Sequence, residues 1–208
     1  MEVVLVNGSP NANGCTLTGL SIIKEQLEKN GVDSEIYQVG KKPIIGCTAC
    51  STGKQPGKAG RCVFHNDMVN TVGQALREAD GIILRSPVHF ASASGAATSF
   101  FDRLFYSTEM SAKRLKFGAA IVSCRRGGNS ATFDQLNKYF TISQMPVVSS
   151  CYWNGIHGYT AEDVYADEEG VRIMRTLADN MAYLIRCKHQ SHIDLPEEQP
   201  HVMTNFIR

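Results

Sequence analysis

Short apolar runs, often rich in Val and Ile, alternate along this chain with segments of helical periodicity. The runs span residues 2–6, 34–39, 81–85, 117–124 and 146–153. They are mostly uninterrupted by charge, as expected for strands covered on both faces. Five such β–α units predict an α/β domain with a doubly wound, five-stranded parallel sheet and helices on both faces. Ligands of such sheets bind at the carboxyl ends of the strands.

The segments between the runs predict the helices. One contains Leu17 and Leu20 at helical spacing and ends at Gly31, a residue typical of helix C-termini. A second is expected over residues 69–79, with Asn66 as its N-cap. Residues 129–140 and 168–187 complete the alternation.

Length and composition indicate one domain with a tail. Of the 208 residues, we assign 1–187 to the domain, 41–65 to an insertion within it, and 188–208 to a C-terminal tail that is loose or packs on a neighbouring subunit. Apolar residues make up 43%, charged residues 20%, and the net charge is +1, which disfavours a nucleic-acid surface. Neither a signal peptide nor a run of roughly eighteen apolar residues is present, so we expect a cytoplasmic protein without a membrane partner.

A polar turn follows the first run and reads NGSPNANGCT over residues 7–16. Hydroxyls, amides and backbone N–H groups before a helix are the donors that bind a phosphate dianion. The candidate residues are Ser9, Asn11, Asn13, Gly14, Cys15 and Thr16. Neither G-x-x-x-x-G-K-[ST] nor G-x-G-x-x-G occurs here, which disfavours a nucleoside triphosphate or standard dinucleotide site. An ordinary polar loop is the alternative.

Two further loops follow the third and fourth runs. The first contains Pro87, Val88, His89 and Phe90, followed by small residues that leave room for a flat ring. Its alternative interpretation is aromatic packing, with Asp102 and Arg103 as an exposed helical pair. The second contains Arg125, Arg126, Gly127, Gly128 and Asn129, which suit a phosphate or the polar edge of a ring, or form a solvated surface turn. Because all three loops lie at one edge of the predicted sheet, we expect them to bind one ligand.

Seven cysteines, an odd and scattered set, favour free thiols. Cys47, Cys50 and Cys62 are close enough in sequence to suggest a metal. A four-iron cluster ordinarily takes four thiolates, and a zinc site would need His65 as its fourth ligand. We favour a lid or interface loop with free thiols and assign no metal ligand, with the cluster and zinc as alternatives.

Five segments, taken in order, resemble the flavodoxin-like NAD(P)H-dependent FMN reductases, in the branch related to iron–sulfur flavoproteins. They are the first loop, ILRSPVHF, FFDRL, CRRGGNSATFDQLNKYF and MPVVSSCYWN. The resemblance spans roughly residues 1–187. It implies a flavodoxin strand order of 2-1-3-4-5, a non-covalently bound FMN, and a homodimer or homotetramer whose subunits help to close the flavin pocket. Ser9 to Thr16 then match the phosphate loop, Pro87 to Phe90 the isoalloxazine loop, and Arg126 to Asn129 a second flavin loop.

The resemblance also implies an activity. NADPH or NADH would deliver a hydride to FMN, and a flavin, quinone or similar acceptor would then receive the electrons in a ping-pong sequence. No catalytic side chain is assigned. A flavodoxin-type electron carrier and a non-catalytic FMN-binding sensor are the alternatives, although carriers usually present an acidic docking face that a charge of +1 does not suggest.

Two residues depart from the family pattern. His89 stands where a Tyr is usual, and Gly53 stands where the cluster-bearing relatives have another Cys. The first departure leaves the ring contact at that position open, and the second leaves three local thiols for a cluster that takes four.

Overall fold

The computed structural model describes residues 1–52, 60–200, 202 and 204, so Gly53 lies outside the described residues. The strands are β1 (Glu2–Asn7), β2 (Asp33–Gln38), β3 (Gly81–His89), β4 (Ser92–Ala93), β5 (Phe117–Cys124) and β6 (Gly155–His157). The helices are α1 (Cys15–Lys29), α2 (Val69–Glu78), α3 (Gly95–Ser107), α4 (Asn129–Ile142), α5 (Asp163–Ala166) and α6 (Glu168–Gln190). A 3₁₀ turn covers Met110–Ala112.

Five of these strands form a parallel sheet in the order β2-β1-β3-β5-β6. This order is the flavodoxin order 2-1-3-4-5 when the short strand β4 is set aside, so the predicted fold is confirmed. β4 pairs antiparallel with the end of β3. From β1 the chain crosses to β2 on one side and then returns to β3 on the other, which opens a crevice at the carboxyl ends of β1 and β3.

Two apolar layers cover the sheet. On one face, buried residues of α1 and α6 pack with Leu5, Ile83 and Ile121. On the other face, α2, α3 and α4 pack with Val4, Ile82 and their neighbours. Because neighbouring residues of β1 and β3 alternate between these two layers, both faces of the central strands are buried, which explains their apolar composition.

The predicted last strand, over residues 146–153, is wrong. Within that run Val147 makes a single parallel bridge to Gly118, and the strand itself is Gly155–His157, which pairs with Val122 to Cys124. Residues 149–153 leave the sheet edge, and the side chains of Tyr152 and Trp153 are exposed. Pairing with β5, rather than local β propensity, therefore decides where this strand forms.

The predicted N-cap at Asn66 is also wrong, because the N-cap residue of α2 is Met68, two positions later, and its side chain makes no capping hydrogen bond. The carboxylate of Asp67, just before it, accepts a hydrogen bond from the backbone N–H of Val69 at 3.1 Å. The last helix is longer than predicted, since α6 ends at Gln190 rather than residue 187.

Arg103 is not the exposed helical residue of the alternative interpretation. Its side chain is 1% exposed, and its guanidinium forms an ion pair with Asp67. The same guanidinium donates to the thiol of Cys62 and stacks on the Phe64 ring, 5.0 Å from its centroid. Asp102 accepts a hydrogen bond from Tyr139 on α4. Arg103 therefore fastens the end of the insertion to α3.

The chain beyond α6 contacts the domain at Pro196, whose carbonyl accepts a hydrogen bond from Arg114 at 2.6 Å.

Among the described residues, no helix has the length and apolar character needed to cross a bilayer.

The substitution Asp67→Asn should destabilise the protein by about 2–4 kcal/mol, because it leaves the buried Arg103 guanidinium without its counter-ion. Urea unfolding measures the loss, and hydrogen exchange should show faster exchange over residues 61–68. The control Glu25→Gln removes an exposed carboxylate on α1 and should change stability by less than about 0.5 kcal/mol. Equal effects of the two substitutions would contradict the anchoring role of Arg103.

Candidate functional site

A hydrogen-bond network that includes side-chain amides holds the first loop, residues 8–14, in place. Asn7 accepts a hydrogen bond from the backbone N–H of Ser9 at 3.1 Å and donates to Gln38. Gln38 in turn donates to the carbonyl of Ser9 at 2.6 Å, and the Ser9 hydroxyl accepts from the N–H of Asn11 at 3.1 Å. The turn is thus shaped before any ligand binds.

Helix α1 begins at this loop with its positive end open. The N-cap residue is Gly14, no side chain of the described residues caps the helix, and the first turn contains no acidic residue. The helix N–H groups therefore remain available, and the helix dipole favours an anion there. Of the predicted residues, Ser9 and Thr16 are buried, Asn11 and Asn13 are exposed, and Gly14 and Cys15 are half-buried.

The second loop is a two-residue hairpin between β3 and β4. Val88 pairs with Ala93 and His89 with Ser92, while Phe90 and Ala91 have φ angles of 51° and 57°. Two successive positive φ angles are the geometry of a type I′ turn, which ordinarily takes Asn or Gly. A phenylalanine in that conformation is unusual, and its ring is fully exposed. His89 is exposed, and Pro87 and Val88 are half-buried.

A hydrogen bond and a close contact join the first loop to the start of α3, which directly follows the hairpin. Ser94 caps α3 and donates its hydroxyl to the carbonyl of Gly8 at 2.9 Å. A Cβ on Gly8 would lie 2.5 Å from the Cβ of Ala97, so only glycine allows this approach.

The third loop, residues 125–128, packs on the hairpin. Gly128 has a φ of 85°, and a Cβ there would lie 2.8 Å from the Cα of Ala91 and 2.9 Å from Cγ1 of Val88. Arg125, Arg126 and Gly127 are exposed, and Asn129 is the first residue of α4. The predicted convergence of the three loops is therefore present in the structure.

A fourth loop, residues 158–162, completes the edge and escapes the sequence analysis. The N–H of Gly158 donates to the carbonyl of Cys124 at 3.2 Å, and Asp163 accepts from the N–H groups of Tyr159 and Thr160, both at 2.9 Å. Burial raises the pKa of the Cys15 thiol, which donates to the carbonyl of Thr160 at 2.9 Å. Cys15 thus links the first and fourth loops.

Arg85 is a second residue that the sequence analysis missed as part of the site. Its side chain is fully buried beneath the first turn of α1, where it donates to the carbonyl of Cys15 at 3.1 Å. Its position in the sequence could have revealed it, because a charged residue in a run that is buried on both faces normally has a specific role.

The model of the family described as NADPH-dependent FMN reductase matches residues 1–160. The chain belongs to this family. An iron–sulfur flavoprotein of Methanocaldococcus jannaschii is 28% identical over 193 residues, covering 89% of this chain and 98% of that protein. A second one from that organism is 26% identical over 190 residues, covering 84% of this chain and 92% of that protein.

Solved structures show the same fold at low identity. RosB with bound 8-demethyl-8-formylriboflavin 5′-phosphate has a TM-score of 0.70 at 14% identity and covers 100% of this chain and 94% of its own. FerB from Paracoccus denitrificans, a flavoenzyme NAD(P)H:acceptor oxidoreductase, has a TM-score of 0.64 at 14% identity, with coverages of 89% and 97%. An archaeal flavodoxin has a TM-score of 0.60 at 16% identity, with coverages of 89% and 99%.

The site fits the FMN of this flavoprotein family. Its phosphate needs donors without a competing acceptor, which the uncapped N-terminus of α1 and the first loop supply. The hairpin and the third loop, which pack on each other at the same edge, are the segments that would flank its ring.

The described residues supply three thiols around one cavity, from Cys47, Cys50 and Cys62, whereas a four-iron cluster ordinarily takes four. Cys47 and Cys50 are exposed, and the buried sulfur of Cys62 accepts a hydrogen bond from Nε of Arg103 at 3.3 Å. His65 is engaged with the Asn70 side chain. In the part of the chain that the structure describes, no three His, Cys, Asp or Glu side chains are grouped so as to bind a metal ion.

The substitution Gly128→Ala should destabilise the protein by about 1–3 kcal/mol and weaken FMN binding, because the added methyl group meets the hairpin at a positive φ angle. Gly127→Ala is the matched control, since a Cβ at Gly127 meets nothing within 4 Å. Urea unfolding and FMN titration measure both effects. If the two variants behave alike, the third loop does not depend on the hairpin contact.

Proposed function

We propose that the protein is an FMN-dependent oxidoreductase that oxidises NAD(P)H and reduces a flavin, quinone or similar acceptor by a ping-pong mechanism. Four loops converging at one sheet edge, beside an uncapped helix N-terminus, are the observation that carries the proposal. When bound, FMN would supply the redox chemistry, taking a hydride from the nicotinamide and later releasing two electrons.

In this proposal the chain's own residues bind and orient. Phosphate donors are Ser9, Asn11, Asn13, Gly14, Cys15 and Thr16. Residues 87–90 and 126–129 flank the ring, and their backbone N–H groups stabilise negative charge on its polar edges. No general acid or base is assigned, since hydride transfer from a nicotinamide needs none.

Anaerobic titration of the FMN-loaded protein with NADH and with NADPH tests the activity. We expect either nicotinamide to abolish the visible flavin absorbance, and initial rates with a quinone acceptor to give parallel double-reciprocal lines. Free FMN at the same concentration is the control. Bound FMN that neither nicotinamide reduces would support an electron carrier or sensor instead, and failure to bind FMN would overturn the proposal altogether.

We also propose that the protein is a homodimer or homotetramer in which a second copy covers the hairpin. The exposed Phe90 ring, held in a strained turn, supports this, because such strain is retained where it has a role. The C-terminal tail is proposed as the accompanying arm.

Light scattering on the protein as it elutes from a size-exclusion column should give two or four times the single-chain mass of 22.8 kDa. Phe90→Ser should raise the dissociation constant of the oligomer by about tenfold, because it removes an aromatic side chain that the second copy would bury. Ile142→Ser, at the far end of α4 where Ile142 is also exposed, should leave the mass unchanged. A monomeric wild-type protein would contradict the proposal.

A further inference from the structure

Arg85 is a buried cation without an anionic partner among the described residues. Its Nε and Nη2 atoms donate to the hydroxyl of Ser123 at 3.2 and 2.8 Å, and Nη2 also donates to the carbonyl of Cys15. Its remaining nitrogen lies 3.8 Å from the sulfur of Met174. All of these groups are neutral, in contrast to the pairing of Arg103 with Asp67.

An unpaired buried charge destabilises the folded protein, and the position of this charge adds to that cost. Burial lowers the pKa of Arg85 to about 9, which leaves the guanidinium protonated at neutral pH. The positive end of α1 is next to it, so the helix dipole adds repulsion rather than compensation. The apoprotein thus holds uncompensated positive charge under the first loop.

The chain makes space for this arrangement. A Cβ on Gly19 would lie 1.9 Å from Nη1 of Arg85, so the guanidinium occupies the volume that a side chain on α1 would take. Glu162 of the fourth loop and Asp163 at the start of α5 do not neutralise it, because both are exposed. Asp163 also accepts hydrogen bonds from the N–H groups of Tyr159 and Thr160.

A chain of hydrogen bonds connects Arg85 to the first loop. Ser123 accepts from Arg85 and donates to the hydroxyl oxygen of Thr16 at 3.4 Å. With its oxygen accepting, the Thr16 hydroxyl keeps its own hydrogen for another acceptor. The positive charge therefore polarises a donor in the loop as well as the N–H groups of the first helical turn.

We propose that Arg85 is the counter-charge of the FMN phosphate and makes the site select the phosphorylated flavin over riboflavin. Arg85 is a positioning residue: it acts through Thr16, Cys15 and the electrostatic potential of the loop, without touching the ligand. The proposal rests on FMN binding at the proposed site and deepens it.

Binding of FMN and of riboflavin to the apoprotein separates a charge effect from a structural one, because only FMN carries the phosphate. Dissociation constants are measured by flavin fluorescence for the wild type, Arg85→Met, Arg85→Gln and Arg85→Lys. Arg172→Met, on the exposed face of α6, is the matched control.

We expect Arg85→Met and Arg85→Gln to weaken FMN binding by about tenfold or more while changing riboflavin binding less than about twofold, since a unit charge acts on the dianion and not on the ring. Arg85→Lys should restore most of the preference, and Arg172→Met should keep it. FMN should also raise the melting temperature of the wild type more than that of Arg85→Met, whereas riboflavin should raise both equally. If Arg85→Met does not fold, the comparison of Gln with Lys carries the same test.

Equal loss of both ligands in the neutral variants would overturn the proposal and assign Arg85 a structural role only. An unchanged preference for FMN would overturn it as well. A wild-type protein that binds neither flavin would instead overturn the proposed function, and this proposal with it.

Discussion

The positive end of α1 has no side-chain cap among the described residues, and it lies at the carboxyl ends of β1 and β3; the rest of the site depends on this arrangement. A helix N-terminus buried against a sheet ordinarily takes a Ser, Thr, Asp or Asn cap, but here Gly14 occupies that position. The amides of Asn7 and Gln38 shape the loop from below instead. The loop is therefore ordered by groups that do not compete with an anion for the helix N–H donors.

The sequence predicts the sheet well because its central strands are buried on both faces. β1, β3 and β5 begin at the predicted residues, and their apolar composition follows from contact with both helical layers. The edge strand is different. Gly155 to His157 has little strand propensity and pairs only with the end of β5, so local composition favours the wrong run, over 146–153.

The site is predictable in outline and not in its inner contacts. Loop composition places a polar turn, a loop with small residues and a glycine-containing turn at one edge, and the structure brings these three loops together. The hairpin turn could not be expected, since Phe90 and Ala91 are unfavourable at positive φ angles. The anchoring of Arg103 depends on Asp67, a residue 36 positions away, which no periodic pattern reveals.

The position of the positive charge has consequences for how the protein gains its cofactor. An arginine within the exposed loop would be hydrated and screened by salt, and its interaction with a phosphate would be small. Below the loop, Arg85 is shielded from solvent and held by Ser123 and Cys15, so its potential is fixed and weakly screened. The same burial destabilises the protein as long as no anion is present. In the proposed role of Arg85, binding of a phosphorylated flavin would relieve an electrostatic cost already present in the fold. Cofactor binding and folding stability would then be linked through one guanidinium.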